Sequence, residues 1–513
     1  METESQKNKR IAKNSIFLYL RMAFSMLVAL YTSRVILNAL GEDDYGIYGV
    51  VGGIVVFFNI IQGSLNAAIS RFITFELGKG DSDRLTRVFS TSVNIQVLMS
   101  VVFLVFAEVI GVWFLEYKMN IPEGRMYAAH WVLQCSILSF VVGLLSVPYN
   151  ATIIAHEHMG AFAYLSILST FLNLGVALII NYVPFDKLIF YALCIVGINV
   201  LMRIIYGIYC KIHFQEATWH FVKDKALVKE MAGFAGWNFL GASSGVLLGQ
   251  GVNILMNIFF GVAVNAARSI ASQIDNAVNM LVNNFTIALN PQITKSYASD
   301  DLSYMHDLVC KGAKYSFFIM FIVALPILLE THIILILWLK QIPEYTVTFT
   351  RLTIFVSLIS VLSQTLVTSM LATGKIKKYQ IIISSLSYSI FILAYVSYKI
   401  GMPPTTAYII QLIIFIIQLG TRMIILRDMI HLPLRKFTSD VLFKVCSVLI
   451  VSSILPLLVK LNMEEGILRL IVVSTISVCC TSFAIYTFGL SHNEQVWIRK
   501  YANSFLQKSI CYK

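Results

Sequence analysis

Apolar stretches of bilayer-crossing length, about 17–25 residues, recur near 12–38, 46–70, 88–114, 127–149, 160–182, 187–209, 231–260, 263–289, 312–338, 346–371, 379–399, 405–427, 438–460 and 467–490. Short polar intervals separate them. The alternation predicts an all-α polytopic membrane protein of about 14 transmembrane helices. Boundaries are soft by several residues, and because 231–289 is the least apolar region, twelve or thirteen spans stay open. The polar head up to Lys13 runs directly into a full-length span, so the first helix is expected to remain as an anchor and not to be cleaved as a signal peptide.

Composition agrees with that pattern. Of 513 residues, 58% are hydrophobic and 13% charged, where soluble domains run at about 45–50% and about 25%. Little chain is left for a soluble catalytic domain. The net charge of +12 would suggest nucleic acid in a soluble protein. Here 27 Lys and Arg fall in the terminal segments and alternate loops, and eight in the opposite loops. That asymmetry predicts both termini in the cytoplasm and an even number of helices, and it accounts for the charge with no nucleic-acid partner. The eight cysteines include no C-x-x-C and read as small buried apolar residues.

The longest polar interval divides the chain. Residues 1–210 are expected to form an N-lobe of six helices and 231–427 a C-lobe of six, with 428–513 adding two helices and a cytoplasmic tail. The linker 211–230 carries Phe214, Trp219 and Phe221 beside Lys223, Lys225 and Lys229, and is expected to be an amphipathic helix on the membrane surface. A shift of 220 residues sets the second span over the eighth, with Gly41 on Gly261, Ile54 on Ile274, Asn59 on Asn279, Thr74 on Thr294 and Asp81 on Asp301. Because six is even, the two lobes would enter the membrane in the same sense, as a parallel repeat.

Three spans carry polar faces. In the eighth, Asn265, Arg268, Ser272, Asp275, Asn279 and Asn283 fall within an arc of about 80° at about 100° per residue. In the second, Tyr48, Gly52, Asn59, Gly63, Asn66 and Ser70 share a face, and in the first Asn14, Arg21, Ser25 and Thr32 do. A polar face turned to hydrocarbon costs several kcal/mol per group, so these faces are expected to meet protein or a wet cavity. Arg34, Arg71 and Arg203 are expected to snorkel or pair helices, whereas Arg21 and Arg268 lie on polar faces and are candidate binding cations. Asp275 is read either as an ion-coupling carboxylate or as the partner of Arg268. Proton and sodium coupling both stay open, and no cofactor is expected.

Other chemistry is sparse. No G-x-x-x-x-G-K-[ST] motif is present. His156-Glu157-His158 lacks the i, i+4 histidine spacing of a zinc helix and is expected to be a solvated turn, so no metal site is expected. A membrane polymerase or ligase would need paired acids near one face, and the outer loops offer scattered ones such as Glu116, Glu123 and Asp186.

The stretch from Tyr31 to Tyr48 (YTSRVILNALGEDDYGIY), followed by Val50-Val-Gly-Gly-Ile54, resembles the opening of bacterial polysaccharide-biosynthesis flippases. These are the O-antigen and capsule-unit translocases of the multidrug/oligosaccharidyl-lipid/polysaccharide (MOP) exporter superfamily. Ile153 to Tyr164 (IIAHEHMGAFAY) is similar to the turn after their fourth helix. The resemblance implies two parallel six-helix bundles in a MATE-like V plus two C-terminal helices, in the bacterial cytoplasmic (inner) membrane. It implies a lipid-linked oligosaccharide as substrate, carried on isoprenoid pyrophosphate, and polysaccharide polymerase or assembly proteins as partners. It also implies cavity cations, for which Arg21 and Arg268 fit by location and type. Ser25, Tyr48, Asn59, Asn66, Asn265, Ser272 and Asn279 suit sugar hydroxyls on the same faces. The expected function is flipping by alternating access, with no enzymatic activity. The alternative is a cation-coupled multidrug antiporter of the same superfamily, which would be expected to place a carboxylate in the first helix. Asn14 to Leu40 has no Asp or Glu and two Arg.

Overall fold

Helices occupy the apolar runs throughout the computed structural model, which describes residues 4–56, 59–117, 121, 124–222, 224–339 and 342–496. The side chains of Asn59 and Asn265 lie outside the described set. Among the described residues there are seventeen α-helices and no strand. The first half holds α1 (Glu4–Val56), α2 (Asn59–Lys79), α3 (Ser82–Tyr117), α4 (Met126–Ala155), α5 (Met159–Ile179) and α6 (Lys187–His213). After them come α7 (Lys225–Val246), α8 (Val252–Ala298), α9 (Leu302–Leu329), α10 (Thr331–Leu339), α11 (Thr346–Val361), α12 (Gln364–Thr373), α13 (Lys377–Lys399) and α14 (Thr406–Ile430). The chain closes with α15 (Leu434–Phe437), α16 (Lys444–Asn462) and α17 (Ile467–Ala484).

Two of these runs are broken by glycine. α1 breaks at Gly41 (φ 80, ψ 171) and α8 at Gly261 (φ 81, ψ −175). This region of backbone space is essentially closed to any residue with a Cβ. Each break therefore ends one predicted span and opens the next without a loop.

Among the described residues, eleven helices are long and apolar enough to cross a membrane. The stretches 12–38, 46–70 and 263–289, which carry the polar faces, are not among the eleven. An apolar outer face shows in α3, where Leu98, Val101, Val105 and Val109 recur at helical spacing and are all exposed. Such a surface is stable only against hydrocarbon.

The chain divides into two compact units. The first comprises Met1–Ser243, Ile287–Asp301 and Gly374–Gln380, and the second Ser244–Thr286, Leu302–Thr373 and Ile381–Lys513. This division differs from the expected lobes, because most of α7, the end of α8 and the start of α13 pack within the first unit. In the first unit Phe103, Leu115, Leu133, Phe140, Leu144 and Leu188 join α3, α4 and α6 in one core. In the second, Val252, Met256, Phe349, Tyr398 and Tyr408 gather α8, α11, α13 and α14. Since lipid tails are as apolar as these side chains, it is close packing that holds the helices together.

The linker is not the expected amphipathic helix. Helix α6 ends at His213, and residues 214–222 run without helical structure to α7. The segment lies on α3, where the Ser90 hydroxyl donates to the Thr218 carbonyl (3.4 Å) and accepts from the His220 amide (3.2 Å). The Trp219 indole donates to Asn94 (3.0 Å), which donates to the Val222 carbonyl (3.3 Å). Side chains of α3 thus satisfy backbone groups that a surface helix would have paired internally.

Candidate functional site

In the first unit, Arg21 projects from α1 toward α5 and α6. Its guanidinium lies 5.0 Å from the Phe162 ring centroid, and it interacts electrostatically with Tyr206. One turn along α6 from Tyr206, Arg203 covers the Tyr149 ring of α4 at 3.9 Å. Four helices therefore contribute to an interior in which both arginines rest on aromatic faces, an arrangement worth about 0.5–2 kcal/mol per contact. Arg203, expected to snorkel or to pair helices, pairs α6 with α4, though nothing local to α6 reveals the ring of Tyr149.

The other expected residues of this unit separate. Ser25 lies 3.3 Å from the Thr170 hydroxyl and ties α1 to α5. Tyr48 turns into the bundle core, its ring 4.8 Å from that of Tyr191, so it is not on a wet face with Asn66. Asn66 is exposed. Asn59 has no described side chain.

In the second unit, residues 247–251 widen the end of α7 into a π-turn, a feature that recurs at functional positions. Arg268 of α8 is 8% exposed and packs against it. Its Nη2 donates to the Gly249 carbonyl (3.3 Å), Nη1 meets the Met256 sulfur (3.9 Å), and the guanidinium lies 5.4 Å from the Tyr408 ring. Among the described residues Nε has no hydrogen-bond partner. Arg268 is thus a buried cation held by a carbonyl, a thioether and an aromatic face. The reading of Asp275 as its partner does not hold, since no ion pair joins them among the described residues. The Ser357 hydroxyl of α11 donates to Asp275 Oδ1 (2.6 Å), and Asn279 Nδ2 donates to Ser357 Oγ (3.3 Å) and to the Asp275 carbonyl (3.0 Å). Ser272 is half-buried between these two clusters along α8. Ser357 and Tyr408 are not foreseeable from the sequence, because single polar residues in apolar helices are indistinguishable from packing residues until a partner helix is placed.

Glu157 departs most from expectation. It is not solvated but 5% exposed, bonded to Lys295 and Gln292, each at 2.7 Å. Elsewhere the expected outer-loop acids are taken up structurally. Asp186 caps α6 through the amides of Leu188 (3.0 Å) and Ile189 (3.1 Å), and Arg125 clasps both Asp186 and Asp44. Burial opposes the Asp186 charge, but Arg125 and the two amides outweigh it and hold the carboxyl below its ordinary range. Glu116 faces His130 at 3.6 Å, and Glu123 lies outside the described residues. Among the described residues no group of three or more His, Cys, Asp or Glu side chains is arranged to hold a metal ion.

The family model described as "Polysaccharide biosynthesis protein" matches residues 11–297. No curated protein matches. Among solved structures, MATE in the straight conformation aligns with a TM-score of 0.69 at 14% identity, covering 82% of this chain and 97% of that one. An outward-facing multidrug resistance MATE family transporter of the MOP superfamily gives 0.68 at 13%, covering 83% and 96%. A MOP superfamily transporter from Pyrococcus furiosus, described as having a binding pocket of reverse polarity that suggests a different function, gives 0.63 at 13%, covering 81% and 96%. At these identities the likeness is one of fold.

Proposed function

Because the chain belongs to the polysaccharide biosynthesis protein family and has the fold of MATE transporters, we propose that it flips lipid-linked oligosaccharides across the bacterial inner membrane by alternating access. The observation that carries this reading beyond the fold is the charge of α1, which has arginine and no carboxylate between Asn14 and Leu40. A lipid pyrophosphate cannot cross hydrocarbon unaided. Guanidinium forks bind its oxygens bidentately, and Arg21, 5.0 Å from the Phe162 ring centroid, is the candidate cation of the first unit. Arg268, buried beside the Tyr408 ring, is the candidate cation of the second unit. Asn66, Ser272 and Asn279 are the residues assigned to sugar hydroxyls. In this reading the basic loops face the cytoplasm, the headgroup occupies the protein interior, and the isoprenoid tail stays in lipid.

The test is reconstitution into vesicles with an isoprenoid-pyrophosphate oligosaccharide, reading the sidedness of the sugar with and without the protein. Absence of any protein-dependent change in sidedness removes this reading.

One observation favours a second reading, cation-coupled antiport. Asp275, a carboxylate on the polar face of α8, is held by Ser357 and, among the described residues, forms no ion pair with an arginine. If coupling runs through it, Asp275→Asn abolishes the response of transport to an imposed proton or sodium gradient. Uptake of organic cations by the same vesicles, without movement of the oligosaccharide, favours antiport.

A further inference from the structure

Glu157 follows α4 in a left-handed conformation (φ 62), where helices usually end on glycine or asparagine. A glutamate carries a conformational penalty there, yet its side chain is 1% exposed and fully engaged. Lys295 donates to Oε1 and Gln292 to Oε2, each at 2.7 Å, and the Asn14 amide donates to the Glu157 carbonyl at 3.3 Å. One residue of the α4–α5 turn thereby joins α1 to segment 287–301 of α8, all within the first unit.

The contacts around it are close and dry. Leu18, Met159 and Ala288 form a buried cluster beside the turn. Gly78 of α2 lies so near the same segment that a Cβ there would stand 2.7 Å from Ala298 Cβ and 2.9 Å from Lys295 Cα. The turn itself is fastened separately to α6 and the segment after it. His156 pairs with Glu216 and stacks on Phe214 at 4.2 Å, and His158 Nδ1 lies 3.1 Å from the Tyr209 hydroxyl. The Glu157 carboxylate therefore ties segment 287–301 through bonds separate from those that fasten the turn.

By the sequence repeat, segment 287–301 belongs to the second half, yet it packs in the first unit. We propose that Glu157 is a positioning residue of the transport cycle, its carboxylate acting as a detachable clasp that holds segment 287–301 against α1, α2 and α4 in one state and releases it in the other. A buried pair suits this use, because removing one partner strands the other charge in the sealed state, whereas withdrawal of the segment returns both groups to water. The proposal rests on the alternating-access reading above but not on its cargo, and its test uses no substrate.

Ala288→Cys, in the full chain with its eight native cysteines replaced by alanine, reports access to the buried cluster. An impermeant maleimide applied to membrane vesicles from the side of the basic loops is expected to label it slowly. Glu157→Gln and Glu157→Gly are expected to raise that rate about tenfold or more, the glycine variant doing so although it relieves the backbone. Exchanging the pair, Glu157→Lys with Lys295→Glu, is expected to restore slow labelling, with Gln292 turning its amide to offer oxygen. Leu133→Cys, in the core of α3, α4 and α6, is expected to stay protected throughout, which separates release from unfolding. Unchanged labelling in both single variants overturns the proposal, as does faster labelling of Leu133→Cys alongside Ala288→Cys, or a charge exchange that labels as fast as the single variants. Failure of the flipping assay with these labelling results intact removes the cargo and leaves the clasp.

Discussion

Gly41 and Gly261 hold the same backbone conformation 220 residues apart, at φ 80, ψ 171 and φ 81, ψ −175. They are also the first pair brought into register by the sequence shift. Chance similarity between apolar helices gives no reason for two glycines to share a conformation this rare. The coincidence favours a true repeat, in which each half joins its first two spans through a hinge that only glycine can form.

Alanine at either hinge should therefore be costly through the backbone alone, since among the described residues nothing lies within 4 Å of an added Cβ at either position. Gly41→Ala and Gly261→Ala are each expected to lower stability by about 1–3 kcal/mol. Gly63→Ala, equally uncrowded and at an ordinary helical φ, is expected to be neutral or slightly stabilising. Thermal unfolding of the three variants in detergent checks this.

Arg21→Ala is expected to slow translocation of the lipid-linked sugar by about tenfold or more while leaving the folded yield unchanged, consistent with the loss of one charge-assisted contact of roughly 1.5–3 kcal/mol. Arg21→Lys should recover only part of the rate, because an ammonium cannot fork toward two oxygens as a planar guanidinium does. The vesicle sidedness assay decides it. Undiminished flipping in both variants removes Arg21 from the site.

Arg268 should behave differently. Truncation to alanine opens a cavity beside Met256 and leaves the Gly249 carbonyl with the Val252 amide as its one remaining donor among the described residues, so Arg268→Ala is expected to lose about 1–3 kcal/mol of stability as well as rate. Arg268→Lys keeps the charge and should retain more of both. Unfolding midpoints and flipping rates, measured on the same preparations, separate the structural loss from the electrostatic one.

Acid should loosen the end of the chain. Burial opposes ionisation of Glu494, but hydrogen bonds from Tyr315, the Ser491 amide and Lys314 prevail and hold its carboxyl down to about 2, from an ordinary value of 4.5. Because the folded value is depressed, the stabilisation is complete above about pH 4.5 and is lost as pH falls toward about 2. Limited proteolysis near residues 490–496 is expected to accelerate across that window in the native protein. In Glu494→Gln it should already be fast at neutral pH and change little with acid.

The membrane class, the helix runs and the repeat are legible because each is written in local periodicity or in a fixed offset, as with Gly41 over Gly261. Partners across the fold are not. The triplet around Glu157 reads as a solvated turn because Lys295 lies 138 residues away, and no local signal points to it. Angular reckoning groups Tyr48 with Asn66 but cannot say that this side of the helix meets Tyr191. Arg268 and Asp275 share a face, yet each finds its partner on a different helix. The linker 211–230 has amphipathic composition, but the binding surface supplied by Ser90 and Asn94 of α3 overrides its helical tendency.

A hydrogen atom at Gly78 is all that the neighbouring end of α8 allows, with Ala298 and Lys295 already within touching distance of any methyl placed there. A single larger residue would act as a doorstop. Gly78→Leu would hold the seam ajar without drug, lipid or antibody, and so supply a trapped specimen of whichever conformer the sealed form conceals.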